Sequence, residues 1–165
     1  MAKLGALDIV TRANEGTAFT PHYPVYDAGG SHRPILGDDG KPASITVLGA
    51  DSDVALRLSR KQRTTLQNRM AGLAWQGKKQ EGLTEDDLLA QEAHDVGLAI
   101  AVTAAWRGFE DDNGAAMDCT PDNVRRVYEQ APYLVEQVLR EVRNRDRFFG
   151  QPETPSGPPA GTASD

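Results

Sequence analysis

The hydrophobic pattern changes period near residue 50. Before it, apolar residues alternate with polar ones in short stretches. After it, they recur every three or four positions for about a hundred residues. Ser44-Ile45-Thr46-Val47-Leu48 is the clearest alternating stretch and predicts a strand. Gly37-Asp38-Asp39-Gly40 is a turn signal, because Gly accepts positive φ and Asp bonds its own backbone. With Pro34-Ile35-Leu36 before it, the segment reads as a hairpin. Phe19, Tyr23, Val25 and Tyr26 supply an earlier strand, which Pro21 and Pro24 confine to an edge. The expectation is a small antiparallel sheet of about two to four strands.

Four helices follow. The first starts at Asp51-Ser52-Asp53, where Asp and Ser are good N-caps, and carries Val54, Leu58, Leu66, Met70 and Leu73 on one face. Residues 77–82 break it. Thr84 and Asp87 form a capping box for the second. Its stripe is Leu89, Ala93, Val96, Ile100 and Thr103, and no charge interrupts Val96 through Trp106. This helix is expected to run on to Trp106 and to be the most buried of the fold. Asn113-Gly114 suits a type I′ turn within a hairpin over 107–119. Thr120-Pro121 opens the third helix, with Pro at its first position. Ala131-Pro132 ends that helix. The fourth carries Leu134, Val135, Val138, Leu139 and Val142 and closes on Phe148-Phe149.

The last sixteen residues, 150–165, hold Pro152, Pro155, Pro158 and Pro159 among small polar residues. They have almost nothing to bury against the entropy of ordering, which predicts disorder. The fold class read from the chain is α+β: a β-rich segment over 1–50, a helical domain of about four helices over 51–149, and the tail.

Composition narrows the function. The net charge of −6 opposes general affinity for nucleic acid. Two basic stretches, Arg57 through Arg69 and Arg140 through Arg147, read first as solvated helix faces. No apolar run approaches the roughly 20 residues that span a bilayer, and the N-terminus lacks the apolar core of a signal peptide. The single cysteine, Cys119, permits no internal disulfide and suits a reducing cytosol.

Catalytic and metal-binding constellations are missing from the pattern. His22, His32 and His94 stand apart from any ligand partner at metal spacing. Cys119 has Asp118 beside it, which opposes a thiolate. Glu110-Asp111-Asp112 lacks the alternation of a calcium loop. No glycine-rich segment is followed by Lys and Ser or Thr in the manner of a phosphate loop. The expectation is a protein that binds other proteins, with no catalytic, cofactor or metal site.

Several segments, taken in order, resemble one family. They are Glu15-Gly16, then Asp38-Asp39-Gly40-Lys41-Pro42, then Ile45 through Leu48 with Gly49-Ala50-Asp51-Ser52. A basic helix comes next, then Trp106-Arg107-Gly108-Phe109, Asn113-Gly114, Thr120-Pro121-Asp122-Asn123 and Arg143-Asn144-Arg145-Asp146-Arg147-Phe148-Phe149. In this sequence of features the chain resembles tail assembly chaperones of long-tailed bacteriophages, over about residues 7–149. The loop Ala28-Gly29-Gly30-Ser31-His32 departs from that pattern.

The resemblance implies a non-enzymatic chaperone that uses no ATP. It would bind the helical tape-measure protein, bring major tail (tube) protein subunits to it in the host cytoplasm, and leave before the virion is complete. Self-association is compatible with such a role; nucleic acid and membrane are not expected partners. The alternative is a permanent virion component of the tail or head–tail connector. Tyr128, Tyr133, Phe148 and Phe149 are the aromatic candidates for partner contact, being of the residue type that anchors interfaces. The competing expectation places all four in the core.

Overall fold

The computed structural model describes residues 8–77 and 84–149. The expected tail and most of the 77–82 break lie outside the described residues. The architecture is α+β, with elements in the order α1 (Ile9–Glu15), β1 (Thr17–Phe19), β2 (His22–Tyr26), β3 (His32–Pro34), β4 (Ser44–Val47), α2 (Asp53–Trp75), α3 (Glu85–Val102), β5 (Thr103–Arg107), α4 (Pro121–Gln130), α5 (Pro132–Arg143) and α6 (Asp146–Phe149).

The strands form two antiparallel sheets. β2 pairs with β3 alone, so Pro24 sits on an edge as its missing N–H requires. The other sheet has the order β1-β4-β5, with Ile45 opposite both Phe19 and Trp106. Its third strand corrects the sequence reading, which continued the second helix to Trp106. The α3 helix stops at Val102. Thr103 takes extended backbone, its hydroxyl donates to the Ala99 carbonyl at 2.8 Å, and the next residues pair with β4. Thr and Trp both favour the pleated surface, and β4 would otherwise lack a neighbour on that side.

The turns are built on aspartate. In the 107–119 hairpin, Asp111 Oδ1 accepts from the N–H groups of Asn113 and Ala115, both at 2.9 Å. Gly114 has φ +77° and Asn113 does not have positive φ, so this is not the type I′ turn expected from Asn-Gly. Asp27 repeats the arrangement toward Gly29 and Ser31. A side chain that accepts two backbone donors satisfies the turn without a left-handed Asn.

The core lies where β4 meets the helices. Ile45 and Val47 are fully buried, together with Ala99, Val102, Val124, Tyr128, Leu134, Val138 and Val142. The most buried helix is α5, not α3 as expected. All five apolar positions read for α5 are buried, whereas α3 buries Ala99 and Val102. The reason is placement: α5 contacts α3, α4, β2 and β4, while α3 packs between α2, α4 and α5 and leaves one side open. The short helix α1, absent from the sequence reading, is capped by Asp8, whose carboxylate accepts from Thr11 N at 3.0 Å and Thr11 Oγ1 at 2.6 Å. It packs on α6, and Arg12 Nη1 donates to the Phe149 carbonyl at 2.6 Å.

Candidate docking surface

The α2–α3 hairpin carries an apolar surface that the fold does not cover. Ser52 caps α2 from a fully buried position, and Ala50 N donates to Val142 O at 3.0 Å, fixing the helix base against α5. Beyond that base, α2 rests chiefly on α3. A helix of 23 residues is about 34 Å long at 1.5 Å per residue, nearly twice the length of the 12-residue α5. The distal half therefore extends past the helices that could bury it. Of the face read from sequence, Val54 and Leu58 are half-buried near the base, Leu66 and Met70 are exposed, and Leu73 is half-buried near the end of the helix. Trp75 is 93% exposed, and Leu88 and Leu89 are exposed on the facing end of α3.

Between the two helices runs an open groove of about 480 Å³, lined by Leu58, Thr65 and Leu66 of α2 and by Ala90, Gly97 and Ala101 of α3. Its distal end is closed by an ion pair between Arg69 and Asp87. Asp87 is also the residue that accepts from Thr84 N at 2.9 Å in the capping box. Those backbone and hydroxyl donors, more than Arg69, hold its carboxyl below the usual range. Gln62 Nε2 donates to Gln91 Oε1 at 3.1 Å midway along. A second groove on the other side of α3 is lined by Leu89, Val96, Ile100, Arg125 and Glu129. The exposed side of α3 thus carries Ala90, Ala93, Gly97 and Ala101 along the first groove, with Glu92 on the second.

The four aromatic candidates do not gather at this surface. Tyr128 is 2% exposed, and its hydroxyl meets Thr103 Oγ1 at 2.6 Å. Since the Thr103 proton goes to Ala99, Tyr128 is the donor. Burial of the phenol pushes its pKa up to about 12. Phe148 is buried among the residues that join α6 to α1, beneath Gly49, where an added Cβ would lie 2.9 Å from the Ala13 Cβ. Tyr133 is half-buried against the core. Phe149 is 39% exposed, with the Arg12 guanidinium 5.9 Å from its ring centre. The residues missed as surface candidates, Trp75, Leu88 and Leu89, had a signal. They stand at the end of a basic helix and the start of an acidic one, where few other elements can reach.

Cys119 is half-buried and burial raises its thiol pKa. The His22 and His32 rings lie 6.1 Å apart. Among the described residues no three His, Cys, Asp or Glu side chains gather to hold a metal ion, and no helix is long and apolar enough to cross a membrane. No protein-family model matches the chain, and neither a curated protein nor a solved structure matches it.

Proposed function

We propose that this protein is a non-enzymatic tail assembly chaperone of a long-tailed bacteriophage, and that the α2–α3 hairpin is the part that grips its client. The single observation that carries the reading is the projecting hairpin with Leu66, Met70, Trp75, Leu88 and Leu89 left uncovered. Exposed apolar groups at helical spacing, grouped on one element, are the features of a helix-in-groove docking surface. The order of sequence features shared with the chaperone family supplies the client: a long tape-measure protein whose apolar helix faces need cover until the tail tube encloses them. Recruitment of major tail protein, residence in the host cytoplasm and departure before the virion is finished belong to the same proposal.

Co-expression tests it. The tape-measure protein of the same phage should be insoluble alone, and soluble and co-purifying with this chain. Equal solubility without this chain, together with no association at micromolar concentration, sinks the proposal. The second reading, a permanent tail or connector component, separates by composition of purified particles: the chaperone is missing from them and the structural protein is retained.

A further inference from the structure

The second basic stretch of the sequence divides in the fold. Arg143 pairs with Asp95 and Arg145 with Asp51, whereas Arg140 and Arg147 line a cleft between β1, the β2–β3 sheet and the corner where α5 meets α6. The cleft measures about 520 Å³, a size that suits a small ligand. It shares no lining residue with the grooves of the α2–α3 hairpin, so its ligand is independent of what the hairpin binds. Gln137 ties the two sides of the cleft together by holding both backbone groups of His22, at 2.8 and 2.9 Å. Arg140 and Glu141 follow Gln137 by one helical turn, which puts all three on one face of α5. The His22 ring lies 6.1 Å from that of His32, which stacks on Tyr26 at 4.3 Å.

Glu141 is the one acid in that lining. Its side chain is 14% exposed, and Arg147 Nε stands 2.9 Å from its Oε2. The contact is an ion pair without a hydrogen bond: the N–H does not point at the oxygen, and Oε2 is buried with no donor. A buried acceptor in that state gains from any donor that reaches it. Around it stand donors. Arg140 forms no ion pair among the described residues, and each of the two imidazoles offers a ring N–H. A metal ion does not suit the cleft, because among the described residues no three ligands gather. An ion with bare oxygens would meet Arg140 and the histidines but set an oxygen against Glu141. A protonated oxyanion meets both needs, with charged oxygens toward Arg140, Arg147 and the imidazoles and its O–H toward Glu141. We infer that this cleft binds a phosphate group that keeps a P–OH, of which inorganic hydrogen phosphate is the simplest. The Arg147 side chain is 43% exposed, so a turn of its outer torsions opens Oε2 to the cleft while its other nitrogens reach the ligand.

Calorimetric titration of the full chain tests it, with inorganic phosphate and sulfate as probes at about pH 6, where phosphate keeps a P–OH and sulfate has none. Phosphate should bind about tenfold or more tightly than sulfate, because a site built for a hydroxyl donor rejects an analogue that lacks it. Arg140→Gln should weaken phosphate about tenfold, the worth of one charge-assisted contact, with an unchanged melting temperature. In Glu141→Gln the amide can donate to a bare oxygen, so sulfate should rise to match phosphate and the preference should vanish. A plain cationic surface would gain equally for both ions in that variant, and a preserved preference overturns the inference. Equal, weak binding of both ions to the wild-type chain, untouched by Arg140→Gln, means an adventitious ion only and also overturns it. Should Glu141→Gln fail to fold, the wild-type chain decides by NMR: the His22 and His32 ring signals must move with phosphate and stay in place with equal sulfate. Glycerol phosphate, about half protonated at the same pH, separates the sources of the group. Binding as tight as inorganic phosphate points to a phosphorylated molecule and weaker binding to the free ion, and both support the phosphate assignment.

Discussion

Gln137 of α5 holds His22 of β2 by both of its backbone groups: Nε2 donates to the His22 carbonyl at 2.8 Å, and the His22 N–H donates to Oε1 at 2.9 Å. One side-chain amide thus substitutes for a neighbouring strand and ties the two-stranded β2–β3 sheet to the helices. Gln137→Leu fills similar space but leaves both groups unpaired, at a cost of about 2 kcal/mol. Hydrogen exchange should quicken in residues 22–34 and hold steady in α5. Equal protection in the variant would show that β2 is held by other contacts.

Tyr128 makes stability depend on alkaline pH. Its folded pKa of about 12 lies above the ordinary tyrosine value of 10.0, so the folded chain keeps the proton more tightly than the unfolded one. The contribution is complete below pH about 10 and disappears as pH climbs toward 12. Tyr128→Phe should flatten the fall in denaturant midpoint over that window. At neutral pH it should cost about 1 kcal/mol, the worth of one hydrogen bond.

Asp51 acts at the other end of the scale. Arg145 donates to its two oxygens at 2.7 and 2.9 Å, and these bonds hold its carboxyl below 3.8 despite some desolvation. A depressed folded pKa gives stability that is present above the unfolded value and lost as pH falls through the folded one. Asp51→Asn should therefore melt lower than the parent chain at pH 7, and the two melting temperatures should converge as pH falls below the ordinary carboxylate range. A constant gap down to acid would assign the effect to packing.

Trp106 is half-buried on β5; its Nε1–H donates to the Met117 carbonyl at 2.7 Å and its ring stacks on Phe109 at 4.8 Å. Trp106→Phe keeps the stack and loses the bond, at about 1 kcal/mol. Trp106→Ala loses both, at about 3 kcal/mol, the low end for large aromatic truncations because the site is not fully enclosed. Chemical denaturation of the two variants separates these costs.

The hairpin separates stability from binding. Met70→Ser with Trp75→Ser removes exposed apolar groups that pack on little of the fold. The melting temperature should stay within the range of surface changes, about 0.5 kcal/mol, while solubilisation of the tape-measure protein fails. A cooperative loss of stability instead would mean that these side chains serve the fold.

Local signals were legible where a side chain names its own backbone duty. Thr84 with Asp87 and Thr120 with Pro121 marked helix starts that stand where the residues put them. Ser44 to Leu48 marked the central strand. The end of α3 was hidden because the run from Val96 to Trp106 contains no Pro, no charge and no Gly after Gly97, and β-pairing to β4, a long-range contact, decides where the helix stops. Helix α1 was hidden by its length of seven residues, although Asp8 and Thr11 hold its cap. The aromatic candidates show the limit of residue type as a guide. Tyr128 and Phe149 have the same interface-prone character in sequence, yet one lies in the core and the other is partly exposed, because only tertiary packing sets their burial.

The contact between α1 and α6 makes the covalent order of the chain separable from its architecture. Asp8 and Phe149 line one cleft, so the two ends of the described chain return to the same place. A permuted chain, joined across that cleft by a short linker and opened between Asn113 and Gly114, would begin with α4 and end with β5. The opening falls on an exposed turn where an added Cβ at Gly114 touches nothing. Such a chain keeps every sheet pairing described above and moves both free ends to the Asp111 turn, so the fold could be re-tethered there for attachment or display.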